Sequence, residues 1–143
     1  MSGSSTAGLV VVDAGVVIGH LERANPHHDA STHALAAAAS VAERLALPVT
    51  AFAECLVYPA QAGSEATLRF EAALAAIPIG VLDADADVAR TAAGLRAEYP
   101  SLKLPDAFVI ATAIVHQADA LLTTDRRWPT ALVRALTPKV DII

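Results

Sequence analysis

Asp13, Glu54, Asp106 and Asp125 each stand beside an apolar segment, and carboxylates are the ligands that hard divalent cations take. Asp13 follows Leu9-Val10-Val11-Val12, Glu54 lies in Ala51-Phe52-Ala53-Glu54-Cys55, Asp106 follows Leu104-Pro105, and Asp125 closes Leu121-Leu122-Thr123-Thr124. Drawn together, such acids hold Mg²⁺ or Mn²⁺, and one or two of these ions activate water and stabilise the leaving oxygen in phosphodiester hydrolysis. Crowded carboxylates without a cation repel one another, so convergence implies a metal. Each aspartate also has a plainer role as a helix cap or first-turn anion, and Pro105 strengthens that reading for Asp106. Glu54 is harder to dismiss, because a capping box from Thr50 would need its acid at position 53, where Ala53 stands.

The elements that must position these acids alternate in type. Residues 8–13 form a short apolar, β-branched run that predicts a buried strand, followed by a short helix over 14–21. The Asn25-Pro26 turn opens an Ala-rich helix over 27–47, a second strand is expected over 48–51, and a helix over 52–58 is ended by Pro59. A helix over 64–77, a strand over 79–82, and helices over 85–98 and 104–117 follow. A strand over 120–124, a helical turn near 129–136 and a last strand over 140–143 complete the pattern. Short apolar strands alternating with helices predict an α/β fold with a parallel sheet covered on both faces. In such a sheet the strand ends and helix starts share one rim, where open α/β folds bind ligands, and all four acids belong to it.

The rim also holds Asp83, Asp85 and Asp87. Their alternate spacing is that of a calcium loop, but Val88 stands where that loop needs glycine and Gly94 where it needs glutamate. Capping and a solvated first turn account for this triplet.

Bulk composition narrows the possibilities. At 143 residues without internal repeats or linkers, the expectation is one domain over 1–143. Hydrophobic residues make up 55% of the chain, yet charges interrupt every stretch long enough to cross a membrane. Met1 to Thr6 carries no basic residue, which argues against a secretory signal and for a frayed terminus in a cytoplasmic protein. The lone Cys55, among apolar neighbours, fits a reducing compartment and a packing role. The formal charge of −5 weighs against binding nucleic acid through a broad basic face. Divalent ions in an acidic pocket would offset most of it.

The segments Val11-Val12-Asp13, Thr50-Ala51-Phe52-Ala53-Glu54, Leu102-Lys103-Leu104-Pro105-Asp106-Ala107 and Leu121-Leu122-Thr123-Thr124-Asp125-Arg126-Arg127-Trp128 together resemble the PIN domain of VapC-type ribonuclease toxins. The resemblance spans nearly the whole chain, and its two C-terminal segments are the most specific. It implies a PIN-like α/β/α sandwich with a central five-stranded parallel sheet, and a Mg²⁺- or Mn²⁺-dependent endoribonuclease that cleaves RNA as the toxin of a type II toxin-antitoxin pair. It also implies a cognate VapB-like antitoxin and a homodimer. The family's acidic metal ligands and catalytic residues fall on Asp13, Glu54, Asp106 and Asp125. A polar residue that orients a carboxylate falls on Thr123, and Asp83 falls at a non-catalytic helix start. Many members have Ser or Thr two residues after the first aspartate; this chain has Gly15.

Lys103, Arg126 and Arg127 are candidate phosphate contacts near the proposed ligands, while Trp128 is expected to pack. His28 and His33 are five residues apart, off the helical spacing of paired metal ligands, so His27, His28 and His33 read as a polar helix face. His20 and His116 read as residues near helix ends. Two other functions fit less well. A catalytically weak PIN-like interaction module, receiving a basic partner segment, is disfavoured by the retention of four acids. A phosphotransfer or receiver-like domain would need acidic pairs that are missing around Asp13.

Overall fold

Val10, Val11 and Val12 are buried in succession, which alternation of side chains across a sheet allows only where both faces are covered. A computed structural model describes residues 7–143, so the frayed terminus expected over 1–6 lies outside the described residues. The elements run β1 (Ala7–Val12), α1 (Ala14–Leu21), α2 (His28–Val41), β2 (Ala42–Pro48), α3 (Val49–Ala62) and α4 (Ser64–Ala75). They continue as β3 (Ile79–Leu82), α5 (Ala86–Glu98), α6 (Leu104–Val115), β4 (Ala120–Thr123), α7 (Thr130–Ala135) and β5 (Lys139–Ile142). The five strands are parallel in the order β3-β2-β1-β4-β5, as the expected α/β architecture requires.

Several boundaries between residues 27 and 62 differ from the sequence expectation. The helix expected over 27–47 stops at Val41, and the second strand occupies Ala42–Pro48 rather than 48–51. Ala42-Glu43-Arg44-Leu45-Ala46-Leu47 consists of good helix formers. Pairing decides its conformation: Leu45 registers with Val10 on one side and Ile79 on the other, and Leu45 to Pro48 are buried. Pro59 does not end the next helix either. It lies near the C-terminus of α3, where a proline deprives only the Cys55 carbonyl of its usual donor, and the helix continues to Ala62. Gly63 then terminates it at φ 116°, its N–H donating to Pro59 O and Ala60 O.

The core gathers Val11, Val16, Leu47, Ile110, Leu121 and Trp128, so the tryptophan packs as expected. Among the described residues no helix is long and apolar enough to cross a membrane. His28 does more than face solvent: its Nδ1 donates to Gly19 O at 3.0 Å and its ring lies parallel to that of His20, tying α2 to the end of α1.

Candidate active site

Sheet order reverses between β1 and β4, which lie side by side although they are far apart in sequence. Chains leaving these strands diverge, and the resulting crevice at the carboxyl edge is where a site can form. Asp13 follows β1 and caps α1. Its Oδ1 accepts from Ala14 N at 2.8 Å, its Oδ2 accepts from Thr123 Oγ1 at 2.8 Å, and its own N–H donates to Leu122 O at 2.9 Å. Asp125 leaves β4 in a tight turn, with its N–H donating to Thr123 Oγ1 at 3.0 Å and its Oδ1 accepting from Arg127 N at 2.8 Å.

Asp106 occupies the first turn of α6, behind Pro105. Glu54 lies in the second turn of α3 rather than the first, because that helix starts at Val49, three residues earlier than expected. The four acids line one pocket of about 340 Å³, together with Gly15, Lys103, Pro105, Thr124 and Arg127. Of the basic candidates, Lys103 and Arg127 therefore reach the site, whereas Arg126 is exposed and is not among its lining residues. Asp83 is likewise exposed and outside the lining, and Asp85 caps α5 by accepting from Val88 N at 3.0 Å.

Burial and mutual repulsion raise the proton affinity of the site. Burial pushes the Asp13 carboxyl above the usual carboxylate range; Asp106 and Asp125 add to the shift, and the Thr123 and Ala14 hydrogen bonds oppose it. Loss of water raises Glu54, with the charges of Asp13 and Asp106 acting in the same direction. Asp106 is raised by burial and by Asp125, against the Trp128 indole, Lys103 and Arg127. The Trp128 N–H lies close enough to Asp106 to lower it, although it does not complete a hydrogen bond of ordinary geometry.

The donor set fits a hard dication. Apart from the Thr124 hydroxyl it offers carboxylate oxygens, and three of the four carboxyl groups are held at a cost in charge that a cation would relieve. Among the described residues no three His, Cys, Asp or Glu side chains are drawn closely enough together to hold an ion as they stand. Asp13 is fixed by two hydrogen bonds, and any closer approach would come from Glu54, Asp106 or Asp125.

The sequence places the four acids on one rim, and the structure gathers them in one pocket, whose lining also includes Thr124, which the sequence did not single out. Two adjacent threonines give no sign of which hydroxyl is engaged and which stays open. That distinction appears only once Thr123 is seen bonded to Asp13.

A five-stranded parallel sheet with an acidic crevice at its switch point defines an α/β protein with a ligand-binding edge. The PIN domain family model matches residues 10–131, and the chain belongs to that family. No curated protein sequence matches it. Among solved structures, it is similar to a toxin-antitoxin complex from Klebsiella pneumoniae, with 24% identity, a TM-score of 0.69, and coverage of 92% of this chain and 95% of the other. VapBC-5 from Mycobacterium tuberculosis is also 24% identical, with a TM-score of 0.61 and coverage of 94% and 97%. VapC20 from the same organism, a sarcin-ricin loop cleaving toxin, is 14% identical, with a TM-score of 0.64 and coverage of 78% and 86%. At these identities the likeness establishes a shared fold.

Proposed function

We propose that this PIN domain is a Mg²⁺- or Mn²⁺-dependent endoribonuclease acting as the toxin of a type II toxin-antitoxin pair, and that it works as a single domain. The observation that carries the reading is the meeting of Asp13, Glu54, Asp106 and Asp125 in one pocket at the β1–β4 switch point. In that reading the four carboxylates hold the cation. When bound, the cation makes water a nucleophile at neutral pH and offsets charge on the departing oxygen. Thr123 keeps Asp13 in one orientation from a fully buried position. Lys103 and Arg127 bring positive charge to the same pocket, where an RNA phosphate would need it.

A second surface supports the partner. An apolar groove of about 590 Å³, lined by residues of α1, α3 and α4 such as Ile18, Leu21, Tyr58 and Phe70, includes Glu54 and so adjoins the acidic pocket. Val57, Tyr58 and Leu68 are more than half exposed on these helices. A VapB-like antitoxin helix would cover this groove, and a basic side chain from the same partner would reach the carboxylates. An arginine there replaces the metal's charge without leaving a position for water. A homodimer belongs to the same reading, and a free, buried Cys55 suits the cytoplasm.

Controlled expression followed by mapping of cleaved RNA ends tests the reading. New ends at a defined site, absent with Asp106→Asn and suppressed by a co-expressed antitoxin, are expected. Unchanged RNA, or ends that persist in the variant, would contradict it.

A further inference from the structure

Gly15 and Thr124 both line the acidic pocket, one from the first turn of α1 and the other from the segment leaving β4. A Cβ added to Gly15 would collide with Thr124 Oγ1, while Thr124 Cβ and Cγ2 would stand 3.5 and 3.8 Å away at ordinary contact distance. The threonine hydroxyl therefore occupies the volume that any side chain at position 15 would need. Thr124 is half-buried, and its hydroxyl takes part in none of the side-chain hydrogen bonds among the described residues, which near the pocket run through Thr123 instead. Its neighbour differs: Thr123 Oγ1 is committed, donating to Asp13 and accepting from Asp125 N.

Short donors on stiff side chains are scarce in this pocket. Four carboxylates present only acceptor oxygens when ionised, and a phosphodiester entering among them presents acceptors as well. Lys103 and Arg127 carry donors on long side chains, and Arg127 Nε already lies 3.4 Å from Asp125 Oδ1. Thr124 offers the one short hydroxyl donor free among the pocket's lining residues, on a β-branched side chain with few rotamers.

We infer that Thr124 is a substrate-contacting residue, whose hydroxyl donates a hydrogen bond to a non-bridging oxygen of the phosphodiester, and that Gly15 is required because only glycine leaves that hydroxyl its place. The inference deepens the proposed nuclease function and rests on it.

Four variants decide the matter: Thr124→Ala, Thr124→Ser, Gly15→Ala and the double variant Gly15→Ala/Thr124→Ala, assayed on RNA with Mn²⁺. A hydrogen bond to a charged oxygen corresponds to about 10- to 100-fold, so Thr124→Ala is expected to lower kcat/KM by at least about tenfold. Thr124→Ser should recover most of that loss. Gly15→Ala alone should fall similarly by displacing the hydroxyl. The double variant, in which the collision is removed, should stay as low as Thr124→Ala rather than show the product of the two losses. Melting temperature and the affinity of the RNA-free chain for Mn²⁺ should be unchanged by Thr124→Ala. Full activity in Thr124→Ala, recovery to the parent rate in the double variant, or weakened Mn²⁺ binding in Thr124→Ala would each overturn the inference. Absence of cleavage by the parent chain would instead refute the nuclease reading, and the inference with it.

Discussion

Thr123 Oγ1 donates to Asp13 Oδ2 at 2.8 Å, joining residues 110 apart in sequence across the β1–β4 junction. Both residues are buried, so the hydroxyl is, beside Ala14 N, one of two neutral donors that serve the carboxylate where it has lost water. The same oxygen accepts from Asp125 N, and thus one threonine fixes two of the four acids.

Thr123→Val should therefore harm both stability and cleavage. Removing a donor to a buried carboxylate costs about 1–3 kcal/mol, which urea unfolding of the metal-free chain would measure. Cleavage should fall by about tenfold or more through loss of Asp13 orientation. Thr123→Ser should keep most of both, and a valine variant as stable and active as the parent would show that the hydroxyl does no work at this position.

Asp13→Asn should abolish metal-dependent cleavage while leaving the metal-free fold intact or firmer. The amide removes a charge that Asp106 and Asp125 repel and that burial penalises. Its oxygen still accepts from Ala14 N. A gain of about 1 kcal/mol would raise Tm by roughly 4 °C at this chain length. A variant that unfolds would make Asp13 a structural cap.

Stability of the metal-free chain should decline as pH rises from mildly acidic to neutral. Asp13, Glu54 and Asp106 bind protons more tightly folded than unfolded, so the stability they contribute is complete below the ordinary carboxylate range. It is lost as pH climbs through their raised folded values. Mn²⁺ should restore the loss at neutral pH. Calorimetric Tm from pH 4.5 to 7.5 checks this, and a slope that is the same with chelator and with Mn²⁺ would count against coupling of the acids to a cation.

Cys55 should be inert in the native state. Burial first, then the charges of Glu54 and Asp13, push its thiol up to about 12, leaving almost no thiolate at pH 8. A disulfide reagent should react only on unfolding. Reaction of the folded chain at the rate of a free thiol would mean that α3 opens readily or that Cys55 is not buried.

Much of this was legible in the sequence, for identifiable reasons. Apolar runs ending in Asp13 and Asp125 carry both a strand and a rim position, so sheet type and site edge could be read without coordinates. Glu43-Arg44-Leu45-Ala46-Leu47 could not, because its helix propensity is overruled by strands on either side that no local pattern reveals. Glu54 consequently shifted by a helical turn without leaving the pocket. The division of labour between Thr123 and Thr124 depends on which hydroxyl faces Asp13 and which faces Gly15, a matter of three-dimensional register.

The central claim is that these four carboxylates form a metal-dependent nuclease centre. The most direct measurement follows cleavage of a labelled RNA by the purified chain across a Mn²⁺ titration, with the parent compared to Asp13→Asn, Glu54→Gln, Asp106→Asn and Asp125→Asn. The account predicts saturable, chelator-reversible cleavage by the parent and loss of about a hundredfold or more in the folded variants. Cleavage that is independent of metal, or that survives when Asp13 and Asp106 are both replaced, would contradict it.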